Sequence, residues 1–501
     1  MPERHPALYE LNTRMLIGEW ARRLGRPATL DDLPEDFLDQ VEADGFTWVW
    51  LLGVWQTGAA GRGVSRARRD WREGFARALP DLRGDDITGS PFAVQEYSVH
   101  ADFGGDAALA RLRARLARRG LALMLDFVPN HTACDHPWVR EHPEYYVHGT
   151  EDDLAREPGS YAALEVGGRT HVLAHGRDPY FPAWSDTLQL DYRHGGLRAA
   201  MVGELVRIAS RCDGVRCDMA MLLLPDVIAR TWGGRSLPAD GSRPVDAPFW
   251  PLAIEAVRRE RRDFLFMAEV YWDLEGELQR QGFDFTYDKR LYDRLRSGEA
   301  RAVRESLLSA PAFQERSARF LENHDEPRAA AVFAPEVHRA AAVVAYLLPG
   351  LRLFHEGQLE GRKVQASMHL GRRAEEPVDV PLRDFYGRLL ACLRRPEAHG
   401  RWLPGECRPA WPGNGTSDGF ITSTWESGAR ALLVAVNFAP TRGQCLAPVP
   451  RGLERQRVTL VDLLSDASYE RDGDDLAARG LFLDLPGWGH HAFEVRRPGC
   501  C

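Results

Sequence analysis

From Gly104 to His131 the chain spells out one structural unit in full. Leu109, Leu112 and Leu116 recur at helical spacing among Arg and Ala, Gly120 ends that run, and residues 121–127 follow as a nearly continuous apolar stretch. Apolar residues three and four apart make a helix face that must be buried, and a glycine just beyond it stops the helix. An unbroken apolar run suits a parallel strand covered on both sides, because a strand with one wet face alternates. The same grammar predicts strands at 46–53, 213–218, 264–269, 320–323 and 351–354, with helices at 253–262 and near 337–348. Strands alternating with helices over 250 or more residues fit a (β/α)₈ TIM barrel, an α/β fold. A doubly wound open sheet gives similar alternation, but no G-x-G-x-x-G loop follows any strand here.

Two stretches break this rhythm. Between His131 and Asp191 the sequence turns rich in Pro, Gly and aromatics, too long for a structureless loop, so it is expected to form a small irregular subdomain after the third strand. From about residue 400, short β-branched runs at 420–425, 431–437 and 457–461, separated by Gly, Pro and Asp, predict an antiparallel β-sandwich. The expected domains are a barrel from 1–131 and 191–399, an inserted subdomain from 132–190 roofing the site, and a C-terminal sandwich from 400–501.

Charge and composition remove several function classes. A net charge of -8 and a pI near 6.1 argue against nucleic acid or an anionic membrane as partner, since both call for a dense positive surface. The opening residues Met1 to Pro6 lack the basic and apolar regions of a secretory signal, and the most apolar stretch, 340–348, is too short to span a bilayer. A cytoplasmic protein is expected. Its eight cysteines contain no CxxC pair, which leaves zinc-ribbon and redox readings unsupported, and the Cys500-Cys501 pair reads as a frayed tail.

Four segments then place acids and imidazoles at strand ends: Asp126 to His131, Gly214 to Asp218, Phe266 to Val270, and Glu322 to Asp325. A barrel enzyme keeps its chemistry at that rim. Retaining cleavage of a glycosidic bond needs two carboxyls about 5 Å apart, one an ionised nucleophile and the other an acid kept protonated. Asp218 and Glu269 close successive strand-like runs. Arg216, two residues before Asp218, points the same way along a strand and is expected to hold that carboxylate ionised. Glu269 lies among Phe266, Met267, Ala268, Val270, Tyr271 and Trp272, an apolar shell that raises a carboxyl's pKa. His131 and His324 can bond sugar hydroxyls, and Asp325 can balance positive charge developing on the ring. Singly, each has a structural reading: a strand-end Asp is a cap or turn former, Arg216 a salt bridge, His131 a satisfied histidine, Asp126 scaffold. Their coincidence at four strand ends favours the joint reading.

In order and spacing these segments resemble the four signature segments of the alpha-amylase family of retaining glycosidases, and the likeness extends over the barrel, the inserted subdomain and the β-rich C-terminal domain. The resemblance implies Asp218 as nucleophile, Glu269 as general acid/base and Asp325 as the third, stabilising acid, with Arg216, His131 and His324 binding sugar. Arg328, in His324-Asp325-Glu326-Pro327-Arg328, resembles an arginine of the family's small-oligosaccharide enzymes. Phe92 stands where the family's second loop usually carries a sugar-stacking tyrosine. Met221 and Leu222 replace the Lys-His pair of typical alpha-amylases, and Gln189 replaces a calcium-ligating aspartate, leaving Asn130 alone at the usual calcium position. No cofactor or required metal is predicted, and long-chain starch binding loses support.

The leading expectation is therefore a retaining α-glycoside hydrolase of small α-glucosides or malto-oligosaccharides, with a small-molecule partner, no nucleic acid and no membrane. A transglycosidase, a sucrose or disaccharide phosphorylase, or a trehalose-synthase-like isomerase would use the same three acids. A metal-dependent barrel hydrolase built on His131, Asp126, His324 and Asp325 lacks the usual early H-x-H pair. A non-catalytic barrel subunit would have lost acids that this chain retains. Linkage preference and oligomeric state are left open.

Overall fold

The computed structural model describes residues 4–233, 245 and 247–498; the Cys500-Cys501 pair lies outside them. Eight parallel strands close into a barrel: β1 Ala7–Asn12, β2 Trp48–Leu52, β3 Ala122–Phe127, β4 Gly214–Cys217, β5 Leu265–Ala268, β6 Phe285–Tyr287, β7 Ser317–Arg319 and β8 Leu351–His355, each bonded to the next and β8 to β1. Continuous apolar runs become strands buried on both faces, as in Trp-Val-Trp-Leu-Leu of β2, where all five residues are buried. Helix α1, Gly105–Ala117, buries Leu109, Leu112 and Leu116 as its spacing predicts, and Gly120 follows with φ 70°. Helices α2 (Gly195–Ala209), α3 (Phe249–Glu260) and α4 (Pro335–Tyr346) serve the same outer layer.

Three strands depart from the sequence reading. β1 carries the buried polar residues Glu10 and Asn12 inside an otherwise apolar strand, and β6 has only three residues, so neither leaves a clear apolar period. The strand expected at 320–323 lies at Ser317–Arg319 instead. Ser317 and Arg319 are fully buried there because side-chain and backbone partners satisfy them, while 320–323 form the loop beyond.

After β3 the chain runs into paired strands His131–Ala133 and Thr187–Gln189, with a second hairpin, Tyr161–Val166 against Arg169–Ala174, between them. Beyond the barrel lie a six-stranded antiparallel sheet, β9 Arg401–Gly405, β10 Phe420–Ser427, β11 Arg430–Asn437, β12 Arg457–Asp462, β13 Ser468–Asp472 and β14 His490–Arg496, and a three-stranded sheet, Arg408–Pro409, Gly443–Ala447 and Leu481–Leu485. Alternate residues of β11 go opposite ways. Ala431, Leu433 and Ala435 share a core with Cys445, Ala447, Leu481 and Leu483 of the smaller sheet, whereas Leu432, Val434 and Val436 join the core of the barrel. The sheet thus buries both faces, which is why its sequence reads without alternation.

Trp425 fastens the two parts. It is fully buried, its Nε1 donates to Leu347 O at 2.8 Å, and the Arg352 guanidinium lies 5.8 Å from its ring. Among the described residues no helix is long and apolar enough to cross a membrane. Trp425→Ala is expected to cost about 3–5 kcal/mol, the range for emptying a large buried aromatic site; a loss below about 1 kcal/mol by chemical denaturation would contradict this packing.

Candidate active site

The parallel register sets the acids side by side. Arg216 pairs with Asp126 on one side and Met267 on the other, and Cys217 with Phe127 and Ala268. One residue further, Asp218 N donates to Phe127 O at 2.8 Å and Glu269 N to Cys217 O at 3.0 Å, so both carboxyls leave the barrel at the same level. Between them lies Arg216, with no exposed surface: Nη1 is 2.5 Å from Asp218 Oδ1 and Nη2 is 2.7 Å from Glu269 Oε2. Trp50, Phe92 and Tyr287 surround the guanidinium with ring centroids 5.4, 5.2 and 5.9 Å away.

Arg216 is shared, which changes the electrostatics expected from sequence. Burial raises the Asp218 carboxyl above its usual value even though the guanidinium beside it pulls the other way. Arg216 therefore does not serve the putting of charge on Asp218 alone. Burial lifts Glu269 to about 7, with Arg216 opposing and Asp218 and Asp325 adding. Glu269 is also fixed in direction: Met219 N donates to Oε2 at 2.7 Å and the Tyr271 hydroxyl to Oε1 at 2.8 Å. Met219 has a φ of 42°, the left-handed turn that aims its N–H back at this carboxyl.

Asp325 has a different neighbour. Burial works to raise its carboxyl, but His324, with Nε2 3.1 Å from Oδ2, holds it below the usual range. His324 in turn rests on Glu10, whose Oε1 is 2.5 Å from Nδ1. Burial works against its charge, yet Asp325 and Glu10 together raise His324 to about 10, so it is an imidazolium at neutral pH.

A cavity of about 230 Å³ opens above these groups, lined by Asp218, Glu269, Asp325, His131 and Phe92 together with Trp71, Trp184, Asp186 and His369. A larger cleft of about 770 Å³ around Arg14 and Arg372 holds none of the three acids. His131 is buried among neutral groups, its ring 5.1 Å from that of Trp184, and burial lowers it to about 4, so it is neutral. Asp126 accepts from Trp50 Nε1 at 3.1 Å and Gly53 N at 2.7 Å, beneath the site.

Three residues expected at the sugar are absent from the cavity lining, among them His324, whose ring is held between Glu10 and Asp325. Arg328 does not line the cavity: its Nη1 donates to Glu322 Oε1 at 2.6 Å and Glu356 O at 2.7 Å, because a buried guanidinium needs acceptors close by. Arg216 lies below the carboxyls and reaches the cavity only through them. Sequence reasoning passed over Glu10, Trp71, Trp184 and Asp186. A glutamate inside an apolar strand, as at Glu10, was a usable signal; the others carry none at the level of spacing.

The calcium position of the resembling family does not fit an ion here. Gln189 Nε2 donates to Asn130 O and Asn130 Oδ1, both at 2.9 Å, so an amide N–H takes the oxygens that a cation would need. Among the described residues no group of three or more His, Cys, Asp or Glu side chains is placed to hold a metal.

Residues 91–369 match the family model for the alpha amylase catalytic domain. Alpha-amylase MalA of Haloarcula japonica is 24% identical over 447 residues, covering 86% of this chain and 55% of that protein. Alpha-1,4-glucan:maltose-1-phosphate maltosyltransferase of Pseudomonas aeruginosa is 29% identical over 149 residues, covering 29% of this chain and 20% of that one. The chain thus spans about half, or less, of the length of these curated relatives. Among solved structures, the maltogenic alpha-amylase AmyB of Thermotoga neapolitana aligns with a TM-score of 0.69 at 19% identity, covering 99% of both chains, which is a likeness of fold.

The raised pKa of His324 has a signed consequence for stability. Its folded value of about 10 lies above the ordinary imidazole value of 6.5, so the stabilisation is complete below about 6.5 and is lost as pH rises through about 10. Unfolding free energy should fall across that window by at most about 1.4 kcal/mol per pH unit. Glu10→Gln should flatten the slope, and an unchanged slope in denaturation series at pH 7 to 10 would contradict the assignment.

Proposed function

Because the chain belongs to the alpha-amylase family, as its match over residues 91–369 establishes, we propose that it is a retaining α-glycoside hydrolase of small α-glucosides or malto-oligosaccharides. The observation that carries this reading is one buried guanidinium contacting the carboxyls of Asp218 and Glu269 on neighbouring strands, at the floor of a cavity that also holds Asp325. Two carboxyls on adjacent nitrogens of one planar group have the close spacing of a double displacement.

In this mechanism Asp218 attacks the anomeric carbon while Glu269, protonated by virtue of its raised pKa, delivers its proton to the leaving oxygen. Asp325, ionised beside the His324 imidazolium, faces the positive charge that develops on the ring. Forming the glycosyl ester removes the negative charge of Asp218. Glu269 then loses one of the two carboxylates that add to the effect of burial and has the charge of Arg216 to itself, so its pKa falls and it becomes the base that activates water. Arg216 is thus a positioning and switching residue rather than a sugar ligand. The cavity volume, at the small end of ligand sites, supports short substrates.

Transfer to a sugar acceptor would use the same residues, and the likeness to a maltosyltransferase keeps that reading alongside hydrolysis. Product analysis with and without added maltose separates them.

Asp218→Asn and Glu269→Gln are each expected to lower kcat/KM on an α-glucoside by about 10²–10⁴-fold or more. Wild-type turnover in both would sink the assignment. Because the general acid must carry its proton, activity should fall as pH rises through about 7, and this limb should vanish in Glu269→Gln. NMR of the first-formed sugar should show the α-anomer; a β-anomer would exclude retention.

A further inference from the structure

The cavity wall contains a fourth carboxyl that the proposed mechanism leaves unused. Asp186 lines the cavity, is 3% exposed, and forms no ion pair among the described residues. Its Oδ2 is buried without a hydrogen-bond partner. The cation nearest in influence, Arg68, is committed elsewhere: its Nε and Nη2 donate to Asp70 at 3.0 and 2.6 Å, and its guanidinium lies 4.9 Å from the Trp71 ring.

Asp186 is not needed to shape its own turn. Thr187 N and Thr187 Oγ1 both donate to Trp184 O, at 3.0 and 2.9 Å, and close the turn from 184 to 187 without the aspartate side chain. Asp186 thus brings an under-bonded carboxyl to a wall that two indoles, Trp71 and Trp184, also line. An aromatic face against the C–H side of a ring, with a carboxylate accepting from hydroxyls at its edge, is the chemistry that recognises a neutral sugar.

We propose that Asp186 is a specificity-determining, substrate-binding residue that accepts hydrogen bonds from hydroxyls of the sugar unit held in the cavity. The inference rests on the α-glycosidase reading and adds which group reads the sugar's hydroxyl pattern. Burial lifts the Asp186 carboxyl to about 6 against the pull of its own backbone N–H and of Arg68, so near neutral pH it is mostly ionised while Oδ2 has no donor. Hydroxyl donors from a ligand supply what the protein withholds. A substrate lacking the contacted hydroxyl would leave this carboxylate unpaired and be rejected.

The test uses maltose and its monodeoxy analogues. In the wild-type protein, at least one analogue should lose about 10- to 100-fold in kcat/KM, the scale for a hydrogen bond to a charged group. In Asp186→Ala that particular penalty should disappear, while penalties at the other hydroxyls persist; Asp186→Asn, close in shape, should reduce it and serves if the alanine variant does not fold. The same pattern should appear in dissociation constants measured with the inactive Asp218→Asn protein. If both Asp186 variants keep the full set of penalties, whatever their stability, the inference is overturned while the hydrolase reading stands. If the wild-type protein cleaves no α-glucoside and Asp218→Asn binds none, both readings fall.

Discussion

One ion-pair arrangement governs the centre of this molecule: a guanidinium with no exposed surface, shared by two carboxyls that end adjacent barrel strands. Taking a guanidinium and the carboxyls it contacts out of water is expensive, and only short contacts with good geometry offset it. Those contacts require β4 and β5 to keep their register, because a slip of one residue would turn Arg216 out of the barrel interior. Trp50, Phe92 and Tyr287 then pack around the cation, and each comes from a different part of the chain. The barrel's closure and the candidate chemistry therefore impose the same constraint on the fold.

Around this pair, acids of nearly identical intrinsic strength are driven apart by their neighbours. Glu269 is raised by burial and by two other carboxyls, and hydrogen bonds from Met219 and Tyr271 fix its direction. Asp325 is held down by an imidazolium that Glu10 keeps charged. In the proposed mechanism this separation gives a proton donor and a permanent anion within one cavity. Arg216, His324, Glu10 and Tyr271, which help create it, are absent from the cavity lining.

Replacement of a metal position by amides fits the same economy of charge. Gln189 and Asn130 bond each other at the position where the resemblance implies a cation, so hydrogen bonds between amides tie the barrel to the inserted subdomain there. At the other end of the barrel, β11 lends one face to the sandwich core and the other to the barrel core, which ties the C-terminal domain to the scaffold through apolar contact.

What the sequence determined by itself is what local physics encodes. Continuous apolar runs fixed β2, β3, β4, β5 and β8, because a strand covered on both faces leaves no alternation, and Asp218 and Glu269 followed from standing at the ends of two such runs. Short or polar-containing strands were misplaced or missed: Phe285–Tyr287 offers no period, and β1 and β7 bury Glu10 and Arg319, whose partners no window of sequence reveals. Tertiary structure alone decided the rest of the site. Glu10 meets His324 across 314 positions of chain, Arg328 finds Glu322 instead of the cavity, and Arg216 divides itself between two acids. Periodicity reports which side of an element is buried; a charge's partner is set by how elements distant in sequence are packed together, and that decides protonation and role.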